Sequence, residues 1–108
     1  EKLSLKGEDG LKDTQIHDRD MDWLGQSDVI VAEVTNVSSG VGYELGRIVE
    51  RNKWVFSEHS RKDILCLYRE QPDRKLSAMI NGSKDLTVVN YREIDEAKKA
   101  IDNFFSAI

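Results

Sequence analysis

The stretch that most constrains the fold is Asp28–Gly46, which reads DVIVAEVTNVSSGVGYELG. Val29–Ala32 is a short apolar run rich in β-branched residues, which is typical of a strand buried on both faces of a parallel sheet. The hydroxyl-rich segment Thr35–Gly40 follows, and then apolar residues recur at helical spacing. The sequence therefore predicts a strand, a polar loop and a helix in that order.

This order creates a candidate anion site in the loop. The first backbone N–H groups of a helix have no intrahelical partner, and they point toward the residues that precede the helix. We therefore expect Ser38, Ser39 and Gly40 to surround a phosphate.

Glu44 is a candidate for chemistry. If the helix begins near Val41, Glu44 lies in its first turn, at the border of the apolar stripe. The helix dipole would favour the ionised carboxylate there, which could act as a nucleophile or a base at neutral pH. Glutamate is also common at helix N-termini for solubility, so the pattern alone leaves both interpretations open.

Asp20 has an unusual position in the preceding helix, which we expect to cover about residues 14–26. At 100° per residue, Asp20 falls in the middle of the apolar face. Because burial of an isolated carboxylate is unfavourable, Asp20 should have either a partner or a catalytic task. Backbone groups, Arg19 and His17 are the candidate partners, and His17 itself is predicted to be a satisfied core or boundary residue.

The rest of the chain alternates strands with helical segments. Ile64–Tyr68 and Leu86–Tyr91 are predicted strands, Leu76–Ile80 is compatible with one or two helical turns that stop at Asn81 and Gly82, and an apolar stripe predicts a final helix over residues 94–108. Between the central helix and the second strand, residues 54–56 could form a strand stub or a packed loop, and residues 57–63 should be exposed.

This alternation predicts a single α/β domain over residues 1–108, with a doubly wound parallel sheet in three layers of the flavodoxin or Rossmann type. Ligands of such sheets bind beyond the carboxyl ends of the strands, where Thr35–Gly40 lies. The chain begins with a helix, and three strands make a thin sheet. We therefore expect an N-terminally truncated version of the fold that lacks one strand and one helix.

Charge and composition exclude several classes of partner. The chain has 16 Lys and Arg against 20 Asp and Glu, a net charge of -4 and no basic block, which argues against polymeric nucleic acid but not against a mononucleotide. No apolar run approaches the length of a membrane span or signal peptide, so we expect no membrane partner and a cytoplasmic, or also nuclear, protein. The single Cys66 is predicted to be a buried core residue in a reducing compartment.

Motifs for metal and cofactor chemistry are weak. No Cys and His cluster has the spacing of metal ligands, and no Ser, His and Asp order suggests acyl transfer. Gly40, Gly42 and Gly46 are similar to the dinucleotide fingerprint, but the last glycine comes one residue late and Glu44 would place negative charge beside a pyrophosphate. We expect no metal and no cofactor.

Four segments carry a family resemblance: Ile16–Leu24 (IHDRDMDWL), Ser27–Val34 (SDVIVAEV), Gly40–Gly46 (GVGYELG) and Leu76–Ile80 (LSAMI). Together they resemble the 2'-deoxynucleoside 5'-phosphate N-hydrolases of the nucleoside 2-deoxyribosyltransferase-like group. The resemblance implies an α/β homodimer that cleaves the bond between base and deoxyribose in deoxynucleoside monophosphates. The residues around Trp54–Lys62 stand as an insertion relative to that family, and its N-terminal strand has no counterpart in this chain.

The resemblance also implies residue roles. Glu44 would be the nucleophile at the anomeric carbon, and Asp20 would orient Glu44 and the sugar hydroxyl. Ser38 and the backbone at Gly40, with Gly42 nearby, would bind the substrate phosphate. Two further substrate-binding residues are implied in the helical turns predicted at Leu76–Ile80: Ser77, which would reach the phosphate in the neighbouring subunit's site, and Met79, which would lie near the base.

Two other functions stay open. The chain could be a weak or inactive nucleotide-binding or dimerisation module, because the family's first strand has no counterpart here. It could also be a transferase that exchanges bases.

Overall fold

The computed structural model describes residues 10–36 and 38–108. Its elements are helix α1 (Asp13–Gln26), strand β1 (Val29–Glu33), helix α2 (Ser39–Lys53), a 3₁₀ turn (Glu58–Ser60), strand β2 (Asp63–Arg69), the single-turn helix α3 (Ala78–Asn81), strand β3 (Thr87–Tyr91) and helix α4 (Ile94–Ala107). Within these ranges no helix combines the length and the apolar character needed to cross a bilayer.

The three strands form one parallel sheet in the order β1-β2-β3. Ala32 of β1 pairs with Cys66 of β2, which in turn pairs with Val88 of β3. Because all three strands run in the same direction, the residues at their carboxyl ends, Glu33 and Tyr91 among them, lie along one edge of the sheet. The predicted parallel α/β sheet is confirmed.

Helices cover both faces of the sheet, which gives three layers. On one face, Cys66 and Tyr68 of β2 pack with Leu45 and Ile48 of α2, and residues of α1 and α3 join this cluster. On the other face, a second cluster forms between β2 and α4, and it is centred on Ala97. Cys66 is fully buried, as predicted, and burial raises the pKa of its thiol to about 11.

Helix α2 begins at Ser39, two residues before the predicted start near Val41. The reason is a side-chain cap, because the Ser38 hydroxyl oxygen accepts a hydrogen bond from the Val41 backbone N–H at 3.2 Å. Ser39 and Gly40 therefore belong to the first turn of the helix and not to the loop.

The segment between α2 and β2 differs from both predictions made for it. Trp54 ends α2 and is 76% exposed, and Phe56 is fully exposed, so these residues form neither a strand nor a packed loop. The predicted exposure of residues 57–63 is wrong for Lys62, which is 7% exposed. Its ammonium group donates hydrogen bonds to the carbonyl oxygens of Gly25 and Ser27 at the end of α1.

Asn52 closes the base of this segment. Its side-chain amide donates to the Lys62 carbonyl at 2.9 Å, and its amide oxygen accepts from the Lys62 backbone N–H, also at 2.9 Å. The residues between Asn52 and Lys62 thus form a connection from α2 to β2 whose two ends are held together by these hydrogen bonds.

Candidate active site

A cavity of about 600 Å³ runs along α2, from the residues that follow β1 to Lys53 at the other end of the helix, and α3 and the segment before β3 line its opposite side. Four of the predicted substrate-binding residues line it: Ser38, Gly42, Ser77 and Met79. The cavity therefore brings together, within one chain, residues that are 39 positions apart in the sequence.

Two serine hydroxyls face this cavity as helix caps. Ser38 caps α2, and Ser77 caps α3 by accepting a hydrogen bond from the Met79 backbone N–H at 3.2 Å. A hydroxyl has one hydrogen and two lone pairs, so a cap bond that uses the oxygen leaves the hydrogen free to be donated. Both serines can therefore cap a helix and still donate a hydrogen bond to an anion.

Polar groups that sequence reasoning missed complete the cavity wall. Lys53, Lys75 and Asn36 all line it. Lys53 also lies 3.8 Å from the Asp85 carboxylate, and Arg74 donates to the Asn36 side-chain oxygen at 3.1 Å. The lysines lie 22 residues apart, one at the end of α2 and one before α3, so only the contact between those elements identifies them. Lys53 is fifteen residues after Ser38 on the same helix, about 22 Å along its axis, so it is too far from Ser38 to share a phosphate with it. Lys75 and the two serine hydroxyls are the suitable ligand types for a phosphate.

Two glycines of α2 leave room in the cavity. Gly42 and Gly46 line it one helical turn apart, and a Cβ added at either position would meet no atom of the described chain within 4 Å. Glycine in a helix interior costs about 1 kcal/mol relative to alanine, so packing within the chain does not explain these residues. Gly40, by contrast, does not line the cavity, although a Cβ there would lie 3.9 Å from the Ser38 hydroxyl oxygen.

Glu44 is half-buried on α2. Burial raises the pKa of its carboxyl above the usual value, and the negative charge of Asp20 raises it further. The net shift of the Glu44 pKa is thus opposite to the one expected from the helix dipole alone. Because α2 begins at Ser39, Glu44 is its sixth residue, and the dipole effect falls off within the first turn.

Asp20 on α1 is the group that couples to Glu44. Its side chain is 31% exposed and accepts a hydrogen bond from the Arg19 Nε at 3.0 Å. Arg19 also lies over the Trp23 ring, with its guanidinium carbon 4.6 Å from the ring centroid. Asp20 is therefore less buried than its place on the apolar face predicted, and it has one of the partners considered for it, the adjacent arginine. A catalytic task stays a prediction.

A second contact between α1 and α2 involves His17. Its Nε2 lies 3.1 Å from the Tyr43 hydroxyl oxygen, which also accepts a hydrogen bond from the Arg47 guanidinium at 2.7 Å. Its Nδ1 lies 2.9 Å from the Asp18 carboxylate. His17 therefore has hydrogen-bond partners, as predicted, but its side chain is 47% exposed, so the predicted core or boundary position is wrong. Its contact with Tyr43, the residue before Glu44, joins the two helices.

The predicted site residues thus form two groups on α2 and its neighbours. One group surrounds the cavity, and the other is the Asp20 and Glu44 pair, neither of which lines it. Within residues 10–36 and 38–108 there is no group of three or more His, Cys, Asp or Glu side chains that could hold a metal ion. The arrangement offers hydrogen-bond donors and the Lys75 ammonium group for an anion on one side, and a coupled carboxylate pair on the other.

Fold and site together define an open-sheet α/β protein whose candidate ligand site follows the first strand. Residues 1–79 match the family model described as nucleoside 2-deoxyribosyltransferase. Because this match covers most of the chain, the protein belongs to the nucleoside 2-deoxyribosyltransferase family.

Curated relatives are similar over almost the whole chain. The chain is 50% identical over 96 residues to 5-hydroxymethyl-dUMP N-hydrolase of Tetraodon nigroviridis, a match that covers 87% of this chain and 61% of that protein. It is 48% identical over 109 residues to the Danio rerio protein of the same name, with 98% and 69% covered, and 46% identical over 109 residues to the Homo sapiens one, with 97% and 57% covered. The chain thus spans about three fifths of the length of these relatives.

Proposed function

We propose that this chain hydrolyses the N-glycosidic bond of 2'-deoxynucleoside 5'-monophosphates and releases free base and 2-deoxyribose 5-phosphate. The similarity to relatives named as 5-hydroxymethyl-dUMP N-hydrolases supports this reaction class. The observation that carries the proposal is the layout of α2, which has Ser38 as its cap at the cavity and, one and a half turns further on, the half-buried Glu44 coupled to Asp20.

The proposed reaction has two steps at the anomeric carbon, C1'. In the first, a carboxylate oxygen of Glu44 forms a bond to C1' as the bond from C1' to the base nitrogen breaks, and the base leaves with the electron pair and takes up a proton from solvent. In the second, water attacks C1' and breaks the ester, so the Glu44 carboxylate is regenerated. This is the sequence used by retaining glycosidases, in which the carboxylate also stabilises an oxocarbenium-like transition state.

Asp20 and the cavity would position the substrate. Asp20 would orient the Glu44 carboxyl and accept a hydrogen bond from the sugar hydroxyl, while Ser38 and the first backbone N–H groups of α2, including that of Gly40, would bind the phosphate. Binding energy from the phosphate, which takes no part in bond breaking, is a common way to hold a reacting centre against its nucleophile.

We further propose that the chain acts as a homodimer in which Ser77 reaches the phosphate of the neighbouring site and Met79 lies near the base. Met79 is 83% exposed beside the cavity, so its apolar side chain is available for a partner or a ligand. Within one chain, Ser77 already lines the same cavity as Ser38. Ser77 could thus serve the site of its own chain or that of the neighbouring subunit, and a mixture of variants can distinguish the two.

The test is incubation of the purified chain with 5-hydroxymethyl-dUMP and, separately, with dGMP, followed by chromatography for the free base. Release of base together with deoxyribose 5-phosphate supports the hydrolase. A new nucleotide formed when a second free base is added would instead identify a base-exchanging transferase. Tight nucleotide binding without base release would identify a binding module and contradict the proposed reaction.

A further inference from the structure

A hydrogen-bond network at the carboxyl edge of the sheet connects the ends of all three strands. The Glu33 carboxylate at the end of β1 accepts a hydrogen bond from the Tyr91 hydroxyl, at the end of β3, at 2.7 Å. The same carboxylate accepts from the Thr35 backbone N–H at 2.9 Å and from the Thr35 hydroxyl at 2.5 Å. The Thr35 hydroxyl oxygen accepts in turn from the Arg69 backbone N–H, at the end of β2, at 2.9 Å.

The network uses both hydrogen-bond donors of Thr35 and one lone pair of its hydroxyl oxygen. The backbone N–H and the hydroxyl hydrogen are both donated to Glu33, and the hydroxyl oxygen is occupied by Arg69. Thr35 is therefore fixed where the chain leaves the sheet, and its N–H is not available to a ligand. Because Thr35 lines the same cavity as Ser38, the network sets the start of the loop that leads to the α2 cap.

The ionisation states of the two partners fit this arrangement. Burial alone would raise the pKa of Glu33, but the hydrogen bonds from Thr35 and Tyr91 and the charge of Arg69 lower it overall. The hydrogen bond to Glu33 raises the pKa of Tyr91, and partial burial adds to the effect. Glu33 therefore stays a charged acceptor and Tyr91 a neutral donor across the neutral range.

We infer that Glu33 and Tyr91 are positioning residues for the substrate phosphate, which they act on through Thr35 from the α4 side of the sheet. This inference rests on the proposed function, since it assigns the cavity to the phosphate of a deoxynucleoside monophosphate. Neither residue lines the cavity, so both are expected to influence phosphate affinity without contact with the substrate.

The test compares Tyr91→Phe with Tyr68→Phe. Tyr91→Phe removes one hydroxyl and keeps the ring, which packs against the α4 cluster. Tyr68→Phe makes the same chemical change in the next strand, where the hydroxyl is buried and has no hydrogen-bond partner among residues 10–36 and 38–108. KM and kcat are measured with the deoxynucleoside monophosphate and with the unphosphorylated nucleoside, and hydrogen exchange of the Thr35 amide is followed by NMR.

We expect Tyr91→Phe to raise KM for the monophosphate about threefold to tenfold, the value of one modest hydrogen bond, with kcat unchanged. Thr35 amide exchange should become faster, while KM for the unphosphorylated nucleoside and all values for Tyr68→Phe should match the wild type. Glu33→Gln, which keeps one oxygen for three donors, should have a larger effect of the same kind.

Three results would overturn the inference. Equal KM values for Tyr91→Phe and wild type, or an equal loss with both substrates, would show that the network does not act on the phosphate. An unchanged Thr35 exchange rate would show that Tyr91 does not fix the loop. If the wild-type chain neither binds nor cleaves the monophosphate, the proposed function fails, and the inference fails with it.

Discussion

The carboxylate of Asp20 on α1 raises the pKa of the Glu44 carboxyl on α2, in addition to the larger effect of burial. Two acids on separate helices are therefore coupled, and the one that lies on the helix beside the cavity is harder to ionise. A nucleophilic carboxylate must be ionised, so the coupling should place the acid limb of the pH and rate profile at a higher pH than an isolated glutamate would give.

Replacement of Asp20 by Asn should lower the pKa of Glu44, because it removes the negative charge that opposes ionisation. The acid limb of kcat/KM should then shift to lower pH, since the ionised form of Glu44 would persist further into the acidic range. The Glu44 titration can be followed by NMR of its side-chain carboxyl carbon, which needs no activity.

Asp22→Asn is the matched control for this experiment, because Asp22 is an exposed carboxylate on the same helix and accepts a hydrogen bond from Gln26. It should leave the Glu44 titration unchanged. Equal Glu44 titrations in Asp20→Asn and wild type would contradict the coupling.

Ser38 should contribute to phosphate binding separately from its role as a helix cap. An alanine cap costs about 1 kcal/mol of stability and a glycine cap only a few tenths, but both variants lack the hydroxyl. We expect Ser38→Ala and Ser38→Gly to raise KM for the monophosphate similarly, by about tenfold to a hundredfold for a lost charge-assisted hydrogen bond.

Thermal melting should separate the two Ser38 variants, with Ser38→Gly the more stable. If affinity instead followed stability, so that Ser38→Gly bound the monophosphate nearly as well as wild type, Ser38 would be a cap without a ligand role.

Gly42→Ala should stabilise the fold and weaken binding at the same time. The new methyl group meets no described atom within 4 Å, and alanine is favoured over glycine in a helix interior by about 1 kcal/mol. It would, however, reduce the room in the cavity that Gly42 lines. The melting temperature and the Kd for the monophosphate are the two measurements.

Gly25→Ala is the control, since Gly25 is also helical and also has open space around it but lies on α1, outside the cavity lining. It should raise the melting temperature and leave Kd unchanged. Unweakened binding by Gly42→Ala would show that the substrate does not approach this part of α2.

Mixing two variants, one that lacks the proposed nucleophile and one that lacks the Ser77 hydroxyl, should reveal whether Ser77 acts in the neighbouring subunit. In a mixed dimer of Ser77→Ala and Glu44→Gln, the first chain supplies an intact Glu44 and the second an intact Ser77, so one of the two sites is complete. Random mixing should then restore about one quarter of the wild-type sites. Base release that stays at the level of the separate variants would place Ser77 in the same chain as the Glu44 that it supports.

Much of the fold follows from periodicity. The continuous apolar runs in β1 and β2 and the stripe in α4 depend only on residues close in sequence, and the strands and the final helix were predicted from them. The predicted start of α2 is two residues late because Ser38 is the helix cap. Ser38, Ser39 and Gly40 are all residue types that can cap a helix, so the sequence alone does not identify which of them does so. That difference moved Glu44 out of the first turn, and its pKa is raised because burial and the charge of Asp20, which is distant in sequence, both oppose ionisation.

Contacts between distant residues were less predictable. The hydrogen bond from Tyr91 to Glu33 joins residues 58 positions apart, and Lys62 is buried only because the end of α1 offers it carbonyl oxygens. The contact between Tyr91 and Glu33 could have been anticipated, because polar residues at the carboxyl ends of parallel strands share one edge of the sheet. For Trp54 and Phe56, apolar character suggested packing, but neighbouring elements leave both exposed.

The most direct test of Glu44 as the nucleophile is the rate of base release from a deoxynucleoside monophosphate by Glu44→Gln, beside Glu50→Gln as a control. Glu50 is an exposed glutamate on the same helix that accepts a hydrogen bond from Trp54, away from the cavity. We predict that Glu44→Gln loses more than about 10³-fold in kcat while still binding the nucleotide, and that Glu50→Gln keeps wild-type turnover. Comparable turnover by Glu44→Gln and wild type would contradict the assigned role of Glu44.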